Sequence, residues 1–224
     1  MNQIDMEELL VGLENIIDNF GDKVTEYAVD LSRELVNQFN RLININKEDD
    51  NGESHLAAEG VIKAINRIVS ICCSNKDLIS QVEVLIKPVV DYTLSGIGFE
   101  YMDEGLDIIK TLVNKTNFVS KTTWSYFMFI NFSLIGDEDE NIKILQEFPD
   151  TGLEGIGYDE MDEQLGVLAS YVTKDIRCLV TENDQKGRPF IDRLFQTVEQ
   201  IIKNSTGVLD VSSNVTCCRM YCQV

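Results

Sequence analysis

Residues 18–31 read DNFGDKVTEYAVDL. An apolar helical rhythm enters this stretch at Phe20, stops at Gly21-Asp22 and resumes within three residues. Upstream, Met6, Leu9, Leu10, Leu13, Ile16, Ile17 and Phe20 recur at spacings of three and four, one stripe of an amphipathic helix. Downstream, Val24, Ala28, Leu31, Leu35, Phe39 and Leu42 form a second stripe. Gly21 suits the C-terminal end of the first helix, and Asp22 can cap the second by accepting bonds from its free N–H groups. So tight a turn forces the two helices antiparallel, packed through their stripes. The stretch predicts a helical hairpin.

The same arrangement recurs along the chain. The polar run NKEDDNGE leads to a third helix over roughly 53–73, with Leu56, Ile62, Ile65, Ile68, Val69 and Cys72 on its buried side. Ser74 to Asp77 punctuates it, and a fourth helix follows with Leu78, Val82, Leu85, Ile86, Val89 and Val90 inward. Pro88 falls within that helix and is expected to kink or split it. SGIGFEYMDEGLDIIKTLVNK starts a fifth helix, and SKTTWSYFMFINFSLI a sixth that opens at Ser120. Residues 136–157 read as an acidic loop, with room for one short helix. Further helices are expected over about 158–181, 188–204 and 207–222.

This reading gives about nine helices in four to five antiparallel pairs, recurring every 40 to 50 residues or so. No convincing strand appears. Such pairs cannot bury their apolar faces alone and must stack on neighbours, which is the logic of an all-α HEAT-repeat solenoid. The chain, residues 1–224, is expected to be a single array of such repeats. It begins and ends within apolar periodic helices without polar capping repeats, as a piece of a longer array would.

Composition narrows the functional classes. The 38 acidic and 19 basic residues give a formal net charge of −19. Such a chain repels phosphate backbones, so direct nucleic-acid binding is not expected. It attracts basic partners, or is kept soluble by its charge. Only three prolines occur, which favours uninterrupted helices. The six cysteines, Cys72, Cys73, Cys178, Cys217, Cys218 and Cys222, include no C-x-x-C pair, and His55 is the single histidine. No zinc site is expected from that pattern, and most of these thiols read as buried and reduced. No apolar run approaches the length of a membrane span. The sequons at Asn114, Asn131, Asn204 and Asn214 carry little weight without a signal peptide. These features point to a cytoplasmic and nuclear protein.

FGDKVTEYAVDLSRELVNQFNRL resembles a helix-turn-helix of the importin-beta (karyopherin) superfamily, most similar to its importin-seven/eight branch. The resemblance is carried by Phe20, Gly21, Asp22, Tyr27, Ala28, Leu31, Phe39, Arg41 and Leu42. AAEGVIKAINRIVS, LISQVEVLIKPVVDYTLS, FEYMDEGLDIIKTLV, TTWSYFMFI and LGVLASYVTKDIRCLV are similar to successive later repeats, in order. The acidic stretch 136–157 is longer than the family pattern, and the tail VLDVSSNVTCCRMYCQV matches it poorly. The resemblance implies a segment from the later half of a nuclear transport receptor that carries basic cargo such as histones or ribosomal proteins. It also implies Ran GTPase binding through repeats outside this chain, and contacts with nucleoporin Phe-Gly repeats.

The candidate cargo-binding residues are acidic clusters. Glu48, Asp49, Asp50 and Glu53 crowd one loop, and Asp137, Glu138, Asp139 and Glu140 another. Asp159, Glu160, Asp162 and Glu163 crowd a helix start, where carboxylates also complement the helix dipole. Clustered carboxylates recognise Lys and Arg by charge-assisted hydrogen bonds, along which an extended basic cargo can lie. A solvated surface is the competing reading. Trp124, Phe127 and Met128 share a helix face that reads as core, with a Phe-Gly pocket as the alternative. His55 reads as a solvated loop histidine. GLEGIG has no Lys-Ser/Thr to serve a phosphate, and GDEDEN lacks the spacing of a calcium loop. Neither an enzymatic site nor a cofactor is expected. The runner-up is a HEAT scaffold of a non-transport assembly.

Overall fold

The computed structural model describes residues 23–48, 52–135, 158–183 and 187–204, together with Gly12, Asn15, Ile16 and Asn19. Eight α-helices lie within them: α1 (Ala28–Glu48), α2 (Gly52–Cys72), α3 (Lys76–Thr93), α4 (Met102–Lys115), α5 (Lys121–Ile135), α6 (Tyr158–Lys174), α7 (Ile176–Thr181) and α8 (Phe190–Asn204). Short 3-10 turns precede α1 and α4. No strand forms among the described residues, where an isolated antiparallel bridge joins Asn183 and Pro189. The chain is all-α and HEAT-like. It divides into two compact units, 1–118 and 119–224. The hairpin turn at Gly21-Asp22, the acidic loop 136–157 and the expected helix 207–222 lie outside the described residues.

In the first unit α1 packs on α2 and α3, and α2 packs on α3 and α4. Three-residue connections separate α1 from α2 and α2 from α3, and packed helices joined so tightly run antiparallel. Alternate helices therefore stack on each other, α1 on α3 and α2 on α4, as two layers of a helical-pair repeat. The sequence accounts for the helix that must serve three neighbours. Ala58, Val61, Ile62, Ala64, Ile65, Ile68, Val69 and Cys72 are buried along α2, covering about half its circumference at roughly 100° per residue. Each fully buried isoleucine contributes about 1.5–3 kcal/mol from apolar area removed from water.

Leu56 departs from the expected face and is 67% exposed. It points away from the centre of that buried arc: it stands six residues before Ile62, a spacing that does not keep it on the stripe. Ile16 is likewise helical but 53% exposed. Val24, just before the 3-10 turn, and Ala28, Leu35 and Phe39 of α1 are buried as expected, Ile43 joins them, and Leu31 and Leu42 are half-buried.

Asn75 caps α3, its side chain accepting from the Asp77 and Leu78 amides at 3.2 Å each. The helix runs unsplit through Pro88. Proline withholds the N–H that would bond the Val84 carbonyl. Val84 and Pro88 are both exposed, so water can satisfy that carbonyl.

Two glycines let α4 and its approach sit close to the end of α3. A Cβ on Gly98 would stand 2.1 Å from the Tyr92 carbonyl oxygen, and one on Gly105 2.0 Å from Thr93 Oγ1 and 2.8 Å from Thr93 Cβ. Thr93 is buried and its hydroxyl donates to the Val90 carbonyl at 2.9 Å. Its branched side chain has little freedom to swing away. Gly105→Ala is therefore expected to destabilise the first unit by about 1–3 kcal/mol, despite alanine's better helix propensity. Chemical denaturation of the variant checks this.

In the second unit α5 packs on α6 and α8, and α7 on α6 and α8. The helix expected over 158–181 is broken at Asp175, whose backbone leaves the helical region and whose carboxylate accepts from the Cys178 amide at 3.1 Å. The side chain thus caps a new helix instead of letting the old one continue. The core carries an aromatic cluster. Phe127 and Tyr171 are fully buried with ring centroids 5.3 Å apart, and half-buried Trp124 stacks on Phe190 at 5.7 Å. The Tyr171 hydroxyl donates to the Thr123 carbonyl. Nearby, Asn131 donates to the Phe127 carbonyl at 2.8 Å, and its Oδ1 lies 2.8 Å from Thr197 Oγ1. Asn131 is 1% exposed, so that sequon is closed to glycosylation in the folded chain.

Candidate functional site

The acidic residues expected to meet cargo fall into three groups. Asp49, Asp50, Asp137, Glu138, Asp139 and Glu140 lie outside the described residues. Glu48 is the last residue of α1 and Glu53 the second of α2, so both flank the connection between the first pair. Asp159, Glu160, Asp162 and Glu163 lie in the first two turns of α6. Glu163 is exposed.

The described structure assembles a different cluster, between α2 and the entry to α4. His55 sits in the first turn of α2 and is part of no loop. Its ring stacks on Tyr101, with centroids 4.7 Å apart and planes inclined at 22°. Its Nε2 stands 3.2 Å from Glu100 Oε2. Tyr101 is buried and makes an edge contact with Phe39 at 6.0 Å, and Phe39 another with Tyr92 at 5.6 Å. Burial, and secondarily the charge of Glu100, raises the pKa of the Tyr92 hydroxyl. Beside this cluster Lys63 pairs with Glu59 one turn back and reaches Glu104 of α4 at 3.9 Å. Burial is the main cause holding the Glu104 carboxyl above the ordinary carboxylate range; Glu59 adds to it and Lys63 opposes it. Further along, Lys115 donates to Ser70 Oγ at 2.6 Å. One flank of α2 therefore meets α4 through polar groups, with the apolar face turned inward.

No sequence signal marks the His55–Tyr101 stack, because its two residues belong to different helix pairs. Only the coincidence of a lone histidine with a buried tyrosine one repeat later hints at it.

The expected aromatic face of α5 is core at Phe127, while Trp124 is half-buried against Phe190. The Phe-Gly alternative rests on Trp124 alone among the side chains described there. Cys72 and Cys73 are buried free thiols, and Cys178 is half-buried. Burial, with a smaller effect of adjacent Cys73, pushes the Cys72 thiol up to about 11. Its folded-state value thus exceeds its ordinary value of 9.0, and the fold favours the neutral form. That contribution to stability is complete below about pH 9 and lost as pH rises towards 11. Alkaline denaturation is expected to begin in this window and to be smaller in Cys72→Ala once both are referred to their neutral-pH stability. Cys217, Cys218 and Cys222 lie outside the described residues.

Among the described residues no group of His, Cys, Asp and Glu is arranged to hold a metal ion, and no helix is long and apolar enough to cross a membrane.

No protein-family model matches the chain, and no solved structure matches it. Curated proteins similar to parts of it include two of importin type. A protein of Dictyostelium discoideum described as a probable importin-7 homolog is 26% identical over 127 residues, covering 57% of this chain and 12% of that protein. One of Arabidopsis thaliana described as an importin beta-like SAD2 homolog is 28% identical over 137 residues, 60% of this chain and 13% of that protein. The chain thus spans about an eighth of the length of these relatives. Over more than half of its length the chain is similar to these importin-type proteins.

Proposed function

We propose that this chain is a cargo-binding segment of an importin-beta-like nuclear transport receptor, moving between cytoplasm and nucleus. The observation that carries the reading is the pairing of importin-type similarity with a net charge of −19 on stacked helical pairs. The mechanism is binding, not catalysis. Helical pairs present carboxylates to an extended Lys/Arg-rich cargo of histone or ribosomal-protein type, which forms charge-assisted hydrogen bonds along them. Ran GTPase acts through other repeats of the full receptor and releases cargo by shifting the population of solenoid conformations. Nucleoporin Phe-Gly repeats would bind where aromatic side chains such as Trp124 reach the surface.

The test compares this chain with a variant in which Asp137, Glu138, Asp139 and Glu140 are each replaced by lysine. Titrated with a lysine-rich histone tail at low salt, the parent is expected to bind at micromolar concentration or tighter, and the variant about tenfold or more weakly. Equal affinity would remove the 137–140 loop from the cargo surface. A non-transport HEAT scaffold, the alternative, would bind its partner through apolar contacts and leave the basic tail unbound.

A further inference from the structure

Thr181 ends α7, and Val180, Thr181, Glu182 and Asn183 are exposed in succession. At Glu182 the backbone turns extended, with φ −89° and ψ 150°. Carboxylates stand at the first and third positions after the Thr181 hydroxyl, on Glu182 and Asp184. An acidophilic protein kinase reads that pattern, its Lys and Arg side chains holding the two carboxylates by charge-assisted bonds. Among the described residues, Ser74 and Ser80 also precede a carboxylate by three positions, at Asp77 and Glu83. Their backbones do not suit phosphoryl transfer, which needs the hydroxyl in line with the γ-phosphate. Ser74 lies in the three-residue connection between two packed helices, and Ser80, inside α3, donates to the Lys76 carbonyl at 2.8 Å. Thr181 donates to the Arg177 carbonyl at 2.9 Å, but it does so from the last helical position, where the chain already leaves the helix.

The residues that follow Thr181 close a loop. The Glu182 carbonyl accepts from the Phe190 amide at 3.1 Å, and Asn183 forms a bridge with Pro189. Phe190 in turn stacks on Trp124. Negative charge is already concentrated at this end of α7: burial first, then the charges of Asp175 and Glu182, pushes the Cys178 thiol up to about 11. A phosphate on Thr181 adds about −1.5 to −2 charges beside them, and like charges so placed disrupt the local structure.

We propose that Thr181 is a phosphorylation site for an acidophilic Ser/Thr kinase, and that its phosphate releases the closure between Glu182 and Phe190. The γ-phosphoryl group of ATP passes to Thr181 Oγ1, its bond to the β-phosphate oxygen breaks, ADP leaves, and the hydroxyl proton goes to the kinase's catalytic carboxylate. Repulsion between the phosphate and Glu182 then moves the start of the loop away from Phe190, and the Trp124 indole loses the ring stacked on it.

The chain is incubated with purified casein kinase 2 and ATP, and its phosphates are located by tandem mass spectrometry. The parent is expected to carry phosphate on Thr181. A Glu182→Gln/Asp184→Asn variant should gain it about tenfold more slowly, having lost two charge-assisted contacts with the kinase. No phosphate on Thr181, whatever other hydroxyl is modified, would overturn the site. Equal rates in parent and variant would overturn recognition through the two carboxylates. Trp124 is the only tryptophan, so its emission reads the structural consequence. Kinase treatment should move the emission to longer wavelength and phosphatase should restore it, while Thr181→Val treated in the same way should not respond. Unchanged emission in the phosphorylated parent, or the same shift in Thr181→Val, would overturn the release of Phe190.

Discussion

Phe39→Ala is expected to cost the first unit about 3–5 kcal/mol, a large share of the stability of any domain of this size. Phe39 is fully buried in α1 and is the ring on which Tyr92 and Tyr101 both make edge contacts, at 5.6 and 6.0 Å. Removing it takes away an aromatic side chain's buried area and leaves a void whose walls are rings that cannot collapse without breaking their own contacts. Two measurements read this out. The urea midpoint should fall steeply, with Phe39→Leu recovering much of the loss because it restores volume. The proton resonances of His55, the single histidine of the chain, should shift as the Tyr101 ring beneath it moves. A loss below about 1 kcal/mol would mean that the aromatic cluster does not hold the first unit together.

Phe127→Ala is the corresponding change in the second unit, with a similar expected cost of about 3–5 kcal/mol. Phe127 is fully buried and its ring lies 5.5 Å from Trp124, 5.3 Å from Tyr171 and 5.6 Å from Phe190. Trp124 is the only tryptophan, so its fluorescence reports this cluster directly. The emission should move to longer wavelength as the indole gains water, and the fluorescence-detected midpoint should drop. A variant whose emission and midpoint match the parent would contradict the described packing of α5 on α6 and α8.

The legibility of the fold followed the range of the interactions that build it. The stripe Val24, Ala28, Leu35 and Phe39 was readable because a helix that buries one face and exposes the other leaves a period of three to four residues in its sequence. The same rule failed at Leu56. The helix that carries it faces three neighbours and its apolar arc is broad, but Leu56, six residues before Ile62, falls almost opposite the arc's centre and points to solvent. The break at Asp175 was missed for a local reason. A capping carboxylate inside an otherwise helical run competes with the helix through one bond to the Cys178 amide, and spacing alone does not show which wins. Pro88 does not split its helix, since a proline on an exposed helix face leaves its orphaned carbonyl to water.

The candidate site was less legible. Charge counting and clustering singled out carboxylates, and these lie at helix starts and connections or outside the described residues. The cluster at His55, Glu100 and Tyr101 joins groups 45 residues or so apart, a separation set by one HEAT-type repeat. Nothing in either local stretch announces the other. That is the general position of a repeat protein: each unit's core is written locally, while the surface that meets a partner is composed across units.

If this chain binds basic protein segments through its charge, its affinity for a lysine-rich histone tail must depend on salt. Attraction between exposed charges is screened over about 10 Å at 0.1 M salt and over about 3 Å at 1 M. A micromolar or tighter Kd at low salt, weakening steadily as salt is raised, is the expected result. Affinity that is absent at low salt, or that does not change across the range, would contradict it.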